Sequence, residues 1–112
     1  MYGFGHQLYP HGDPRGRLLL GLLAETYPQN DLLAIAQLVA DEVERITGEA
    51  PNVDFALVVL ERALQLPDDA ALALFALGRT VGWIGHAIEQ YESKTLIRPR
   101  AQYVGEPPSE RN

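Results

Sequence analysis

Cysteine is absent from this 112-residue sequence. Its absence excludes a disulfide framework, a thiolate zinc site and a cysteine nucleophile, and it fits a reducing, cytoplasmic location. Lysine is nearly absent too, since Lys94 is the one lysine among nine cationic residues. The formal charge of −6 lacks the basic footprint that a nucleic-acid partner requires. The N-terminal stretch MYGFGHQLYP has no basic segment leading into an apolar run, so no secretory leader is expected. No stretch alternates with strand period, and there is no internal repeat or low-complexity run. The three histidines, His6, His11 and His86, stand at no ligand spacing, so no metal site is expected.

The sequence does hold enough apolar residues, 46%, to bury a core, and its pattern is helical. Residues 1–12 read as a glycine-punctuated loop. Asp13 is placed to cap a first helix with Pro14 at its first position, and Leu18, Leu19, Leu22 and Leu23 form two i,i+4 pairs along it. Tyr27-Pro28 ends it. Asn30 caps a second helix whose apolar stripe is Leu32, Ile35, Val39, Val43 and Ile46, with Gly48 as its stop. Asn52 caps a third, with Val53, Leu57, Leu60 and Leu64 as core positions. A fourth is expected from near Pro67 to about Glu92, with Asp68 and Asp69 in its first turn. Gly78, Gly82 and Gly85 are places where this helix can kink or let another helix come close. The expectation is an all-α unit over 1–112 with a loose tail at 105–112. The third and fourth helices should pack through Leu57, Leu60, Leu64, Leu74 and Leu77.

The fourth helix is apolar over 70–88, long enough to raise the question of a membrane span. Arg79 and His86 interrupt it, and an arginine near a bilayer centre is costly. The reading is therefore a buried helix with no membrane partner. Arg79 itself needs a negative partner, either a structural carboxylate or a bound anion. Arg15 and Arg17 stand in a helix first turn, where the macrodipole disfavours cations. They are either solvated surface residues or groups aimed at a negative ligand. Asp54 is either a favourable first-turn aspartate or a general base whose pKa its apolar neighbours Val53 and Phe55 raise. His6 lies between glycines that let the backbone approach a ligand.

Taken in order, GFGHQLYPHGDPR, PNVDFALVVLERAL, LGRTVGWIGHAIEQYE and LIRPRAQYVG resemble the C-terminal part of bacterial citrate synthases. The resemblance covers nearly the whole sequence. It implies a citrate-synthase-like helical fold, made of part of the small domain plus the C-terminal helix and tail. It implies condensation of acetyl-CoA with oxaloacetate and hydrolysis of the product to citrate and CoA. Acetyl-CoA is a substrate, and no further cofactor is implied. By resemblance, His6 contacts the ketone oxygen of oxaloacetate, Asp54 takes a proton from the acetyl methyl, and Arg15 and Arg79 hold its carboxylates. Arg98 resembles the arginine given to the partner subunit's site. The family's enol-stabilising histidine and much of the CoA pocket lie upstream of GFGH. The expected partner is therefore a second copy, or a second chain carrying that part, and activity from these residues alone is not expected. A non-catalytic helical interaction module is the alternative. Tyr2 stands where many relatives have proline, and Pro10 where some have a basic residue.

Overall fold

A computed structural model describes residues 2–95, and these form four helices in chain order. They are α1 (Pro14–Thr26), α2 (Asp31–Thr47), α3 (Val53–Ala63) and α4 (Ala70–Ser93). No strand occurs among the described residues; Phe4 and Pro51 make one isolated antiparallel bridge. Arg98 and the tail at 105–112 lie outside the described residues.

Helix starts follow from local chemistry. The side chains of Asp13, Asn30 and Asn52 each accept hydrogen bonds from first-turn amides of the helix that follows, satisfying donors that no helical carbonyl reaches. Gly48 ends α2 at φ 72°, a left-handed conformation that costs glycine little. The end of α3 has no glycine. Gln65 takes the left-handed position at φ 51°, its N–H reaches Arg62 O, and Leu66 N reaches Glu61 O. That pair of bonds is a Schellman termination.

α4 begins at Ala70, three residues later than Pro67. Asp69 stands before it in a left-handed conformation and makes no side-chain cap. The cap comes from another helix instead, since buried Glu61 accepts a hydrogen bond from Ala71 N at 2.8 Å. This carboxylate ties α3 to α4 and takes the place expected of Asp68 and Asp69.

α3 is the hub, packing on α1, α2 and α4. The core is Leu23, Ala36 and Val59, surrounded by Leu19, Leu20, Leu32, Leu33, Phe55 and Leu60. Several faces differ from expectation. In α1 the Leu19/Leu23 pair faces inward, while Leu18 and Leu22 are exposed. In α2 the buried residues are Ala36 and Ala40, and Ile35, Val39 and Ile46 are exposed. Small side chains there let two helix backbones come close. In α3 the inward positions are Ala56 and Val59. Leu57 and Leu60 are half-buried and Leu64 exposed.

The expected burial of α4 is not met within these residues. It has no buried residue among those described, and Leu77 is 71% exposed. α4 packs on α3, and Ala71, Leu72 and Phe75 near its start line a cleft with Leu57 and Glu61 of α3. By length and composition α4 could cross a membrane, and none of its apolar window is buried inside the chain. It runs unbroken past Gly78, Gly82 and Gly85, and among the described residues no atom of another helix lies within 4 Å of where a Cβ on those glycines would stand.

One contact sets the angle between α1 and α3. A Cβ on Gly16 would lie 2.8 Å from both the carbonyl carbon and oxygen of Asn52. Both are backbone atoms that cannot turn aside. Gly16→Ala is expected to destabilise the fold by about 2 kcal/mol, because overpacking against backbone outweighs the better helix propensity of alanine. The urea midpoint checks this, and an unchanged midpoint would contradict the close crossing.

Candidate active site

The loop 2–12 is stitched to the α2–α3 turn. Gly5 N donates to Ala50 O, Asn52 N to Gly3 O, and the Asn52 side-chain amide to Gly5 O at 3.0 Å. Phe4 is buried beside Phe55, their ring centroids 5.0 Å apart. Gly3 and Gly5 both have positive φ, and a Cβ on Gly3 would press on Phe55. The glycines thus let His6 ride on a loop held to the start of α3.

His6 Nδ1 accepts a hydrogen bond from Leu8 N at 3.1 Å. That assigns the ring proton to Nε2, so a neutral His6 presents a donor at its outer edge. Its ring lies 4.9 Å from the Tyr9 ring, and the Arg15 guanidinium sits 5.3 Å from the same ring. Tyr9 is therefore the shared platform beneath a donor and a cation. No motif in the sequence singled it out. His6 also lines a cleft of about 620 Å³ with His11, Glu44 and Glu49.

Arg15 is paired to Asp13 through Nε and Nη2, each at 2.9 Å. Hydrogen bonding to Asp13 is the largest cause holding its pKa above the usual arginine value. Burial opposes this, and the charges of Asp13, Tyr9 and Asp54 add to it. Asp13 also accepts from Val53 N at 3.0 Å, which sets Arg15 beside the first turn of α3, where Asp54 stands. Arg17 is turned away and donates to His11 O at 3.3 Å.

Asp54 is exposed on the first turn of α3 and opens onto the cleft between α3 and α4, with Leu57, Val58, Glu61, Leu72 and Phe75. Val53 and Phe55, on either side of it in sequence, are half-buried. Arg79 stands apart. It is exposed on α4, its guanidinium lies across Gly82, and it pairs with no carboxylate among the described residues. The structure thus gathers His6, Arg15 and Asp54 around the N-terminal ends of α1 and α3. It leaves Arg79 on α4. No cluster of three metal-ligating side chains occurs among the described residues.

Asp13 is the buried charge at the centre. Burial pushes its carboxyl up, but hydrogen bonds from the Arg15 side chain and from the Arg15 and Val53 amides, with the Arg15 charge, outweigh this and hold it at about 2. A carboxyl lowered on folding stabilises the fold fully above its ordinary value of 3.8, and this is lost as pH falls through the folded value. About 2 kcal/mol should be lost between roughly pH 4 and pH 2. Acid unfolding of Asp13→Asn should be flatter over that window, and an identical acid limb would contradict the assignment.

Four helices, with a histidine, an arginine and a carboxylate near the N-terminal ends of two of them, define an all-α unit. The citrate synthase C-terminal domain model matches residues 1–100, and the chain belongs to that family. It is 40% identical over 93% of its length to a citrate synthase of Haloferax volcanii. It is 36% identical over 92% to citrate synthase 2 of Bacillus subtilis, and 36% over 93% to 2-methylcitrate synthase 2 of Corynebacterium glutamicum. The chain spans 28% of the length of each of these curated relatives.

Proposed function

We propose that these residues supply part of a citrate synthase active site, acting on oxaloacetate and a CoA thioester. The observation that carries the reading is the gathering of His6, Arg15 and Asp54 at the starts of α1 and α3 in a member of this family. Asp54 takes a proton from the acyl carbon next to the thioester. That carbon attacks the ketone of oxaloacetate, and Nε2 of His6 donates to the oxygen on which negative charge develops. Arg15, Arg79 and Arg98 hold the two carboxylates in attack geometry. Water then cleaves the thioester to give citrate and CoA. No metal or further cofactor enters.

The 112 residues act as one helical unit and require the upstream part, which carries the enol-stabilising histidine. That part comes from a longer parent protein or a second chain, and a second copy supplies the partner-subunit contact. In this reading α4 is covered in the assembly rather than by lipid, because Arg79 lies midway along it. The basic groups near the CoA pocket are few, and Arg45, on the run before PNVD, is already paired to Glu42 at 2.6 Å. Relatives that make citrate and 2-methylcitrate both match, so acetyl and propionyl thioesters are both candidate donors.

The alternative, a helical interaction module without turnover, draws on the exposed apolar face of α4. One assay separates the two: thiol release from acetyl-CoA with oxaloacetate present. The chain alone is expected to give background rates, since the loss of a catalytic group costs roughly 10²–10⁴ in rate. Combined with the upstream part it is expected to turn over. Turnover by the chain alone would overturn the incomplete-site reading, and none from the combined protein would favour the module.

A further inference from the structure

Resting on the assignment of Arg15 and Asp54 above, the geometry points to Asp13 as a positioning residue: one buried carboxylate aims the ligand-facing fork of Arg15 and latches the first turn of α3. Substrate clamp and base are thereby kept in a fixed register. Asp13 is 2% exposed. Its Oδ1 accepts from Arg15 N at 3.0 Å and Arg15 Nε at 2.9 Å. Its Oδ2 accepts from Arg15 Nη2 at 2.9 Å and Val53 N at 3.0 Å. One side chain thus serves the starts of two helices whose residues are 40 apart in sequence.

The donor inventory of arginine decides what remains for a ligand. A guanidinium has five N–H groups in one plane. Asp13 takes the side-on pair, Nε–H and one N–H of Nη2. The end-on pair, from Nη1 and Nη2, is left for a carboxylate. The Arg15 side chain is 47% exposed and braced by Tyr9. A free arginine would sample many rotamers and lose that freedom on binding. Held by Asp13, it loses little. The same carboxylate receives the amide of Val53, the first residue of α3 and the neighbour of Asp54. The Gly16–Asn52 contact restrains the same crossing sterically.

The test is a cycle in the chain combined with its upstream part. Asn at position 13 keeps one acceptor but turns an NH₂ group toward one set of donors. Asp13→Asn should raise the oxaloacetate KM about 10- to 100-fold and lower kcat about tenfold or more. In an Arg15→Gln background it should leave KM where Arg15→Gln put it, while the fall in kcat persists. The same KM factor in both backgrounds would overturn the proposal, because Asp13 would not be acting through Arg15. Arg15→Lys leaves the buried carboxylate untouched and covers the case of misfolding. One ammonium cannot fill both forks, so KM should rise about as far as in Arg15→Gln, and a KM within about threefold of the parent would overturn the two-fork account. If Arg15→Gln alone leaves KM unchanged, the assignment of Arg15 fails and the proposal falls with it.

Discussion

Asp54→Asn in the combined protein should lower kcat by roughly 10²–10⁴ while changing the oxaloacetate KM little. The substitution removes a proton acceptor and keeps the shape. The local fold should survive it. Position 54 is exposed, and what its backbone contributes to the helix start is an N–H bonded to Asn52 Oδ1 at 3.0 Å, which asparagine at 54 retains. Arg15 feels the charge of Asp54, so a modest gain in oxaloacetate affinity would also be consistent. Single-turnover and steady-state thiol release give the two parameters separately. An unchanged kcat would remove Asp54 as the base.

Arg79→Leu should show the opposite pattern, with oxaloacetate KM rising roughly 100-fold as a carboxylate loses a charged, forked donor. Stability should hardly move. Arg79 is exposed on α4 and pairs with no carboxylate among the described residues, and leucine is as good a helix former as arginine. That combination separates the two readings of an arginine in an apolar helix. A structural partner would make the substitution costly to folding, whereas a bound anion makes it costly only to binding. Isothermal titration with oxaloacetate and a thermal melt of the same sample distinguish them. Unchanged affinity would remove Arg79 from the clamp.

The helix starts were legible because a cap is a local event. Asp13, Asn30 and Asn52 bond amides two or three residues ahead, and residue type plus position suffices to find them. The faces were less legible. A stripe such as Leu32, Ile35, Val39, Val43 and Ile46 says that a helix has an apolar side, not which neighbour covers it. In α2 the buried positions are Ala36 and Ala40, and Ala36 joins the core with Val59 of α3. Contacts reaching across the chain left no local signature. The Asp13 bond to Val53 joins residues 40 apart in sequence, and the Glu61 cap on α4 reaches ten residues on, from one helix to the next.

Of the candidate site, Arg15 and Arg79 stood out because they sit awkwardly with dipole or packing rules, and His6 and Asp54 because the order of the motifs around them resembled one family. Tyr9 did not stand out, although it supports both His6 and Arg15. An aromatic in a glycine-rich loop reads as surface chemistry until the rings on either side of it are placed.

The two carboxylate ties partition the chain for hydrogen exchange. Opening α1 from α3 means breaking the bond from Val53 N to Asp13 and separating the core formed with Leu23 and Val59, so those amides should exchange only through a large, concerted opening. α4 beyond its first turns shares no buried contact with the other helices. Once Glu61 releases Ala71, it can unwind as a separate unit. Its amides should exchange by a low-energy route of their own, and binding to whatever covers its apolar face would appear as slowed exchange there, with little change in α1 and α3.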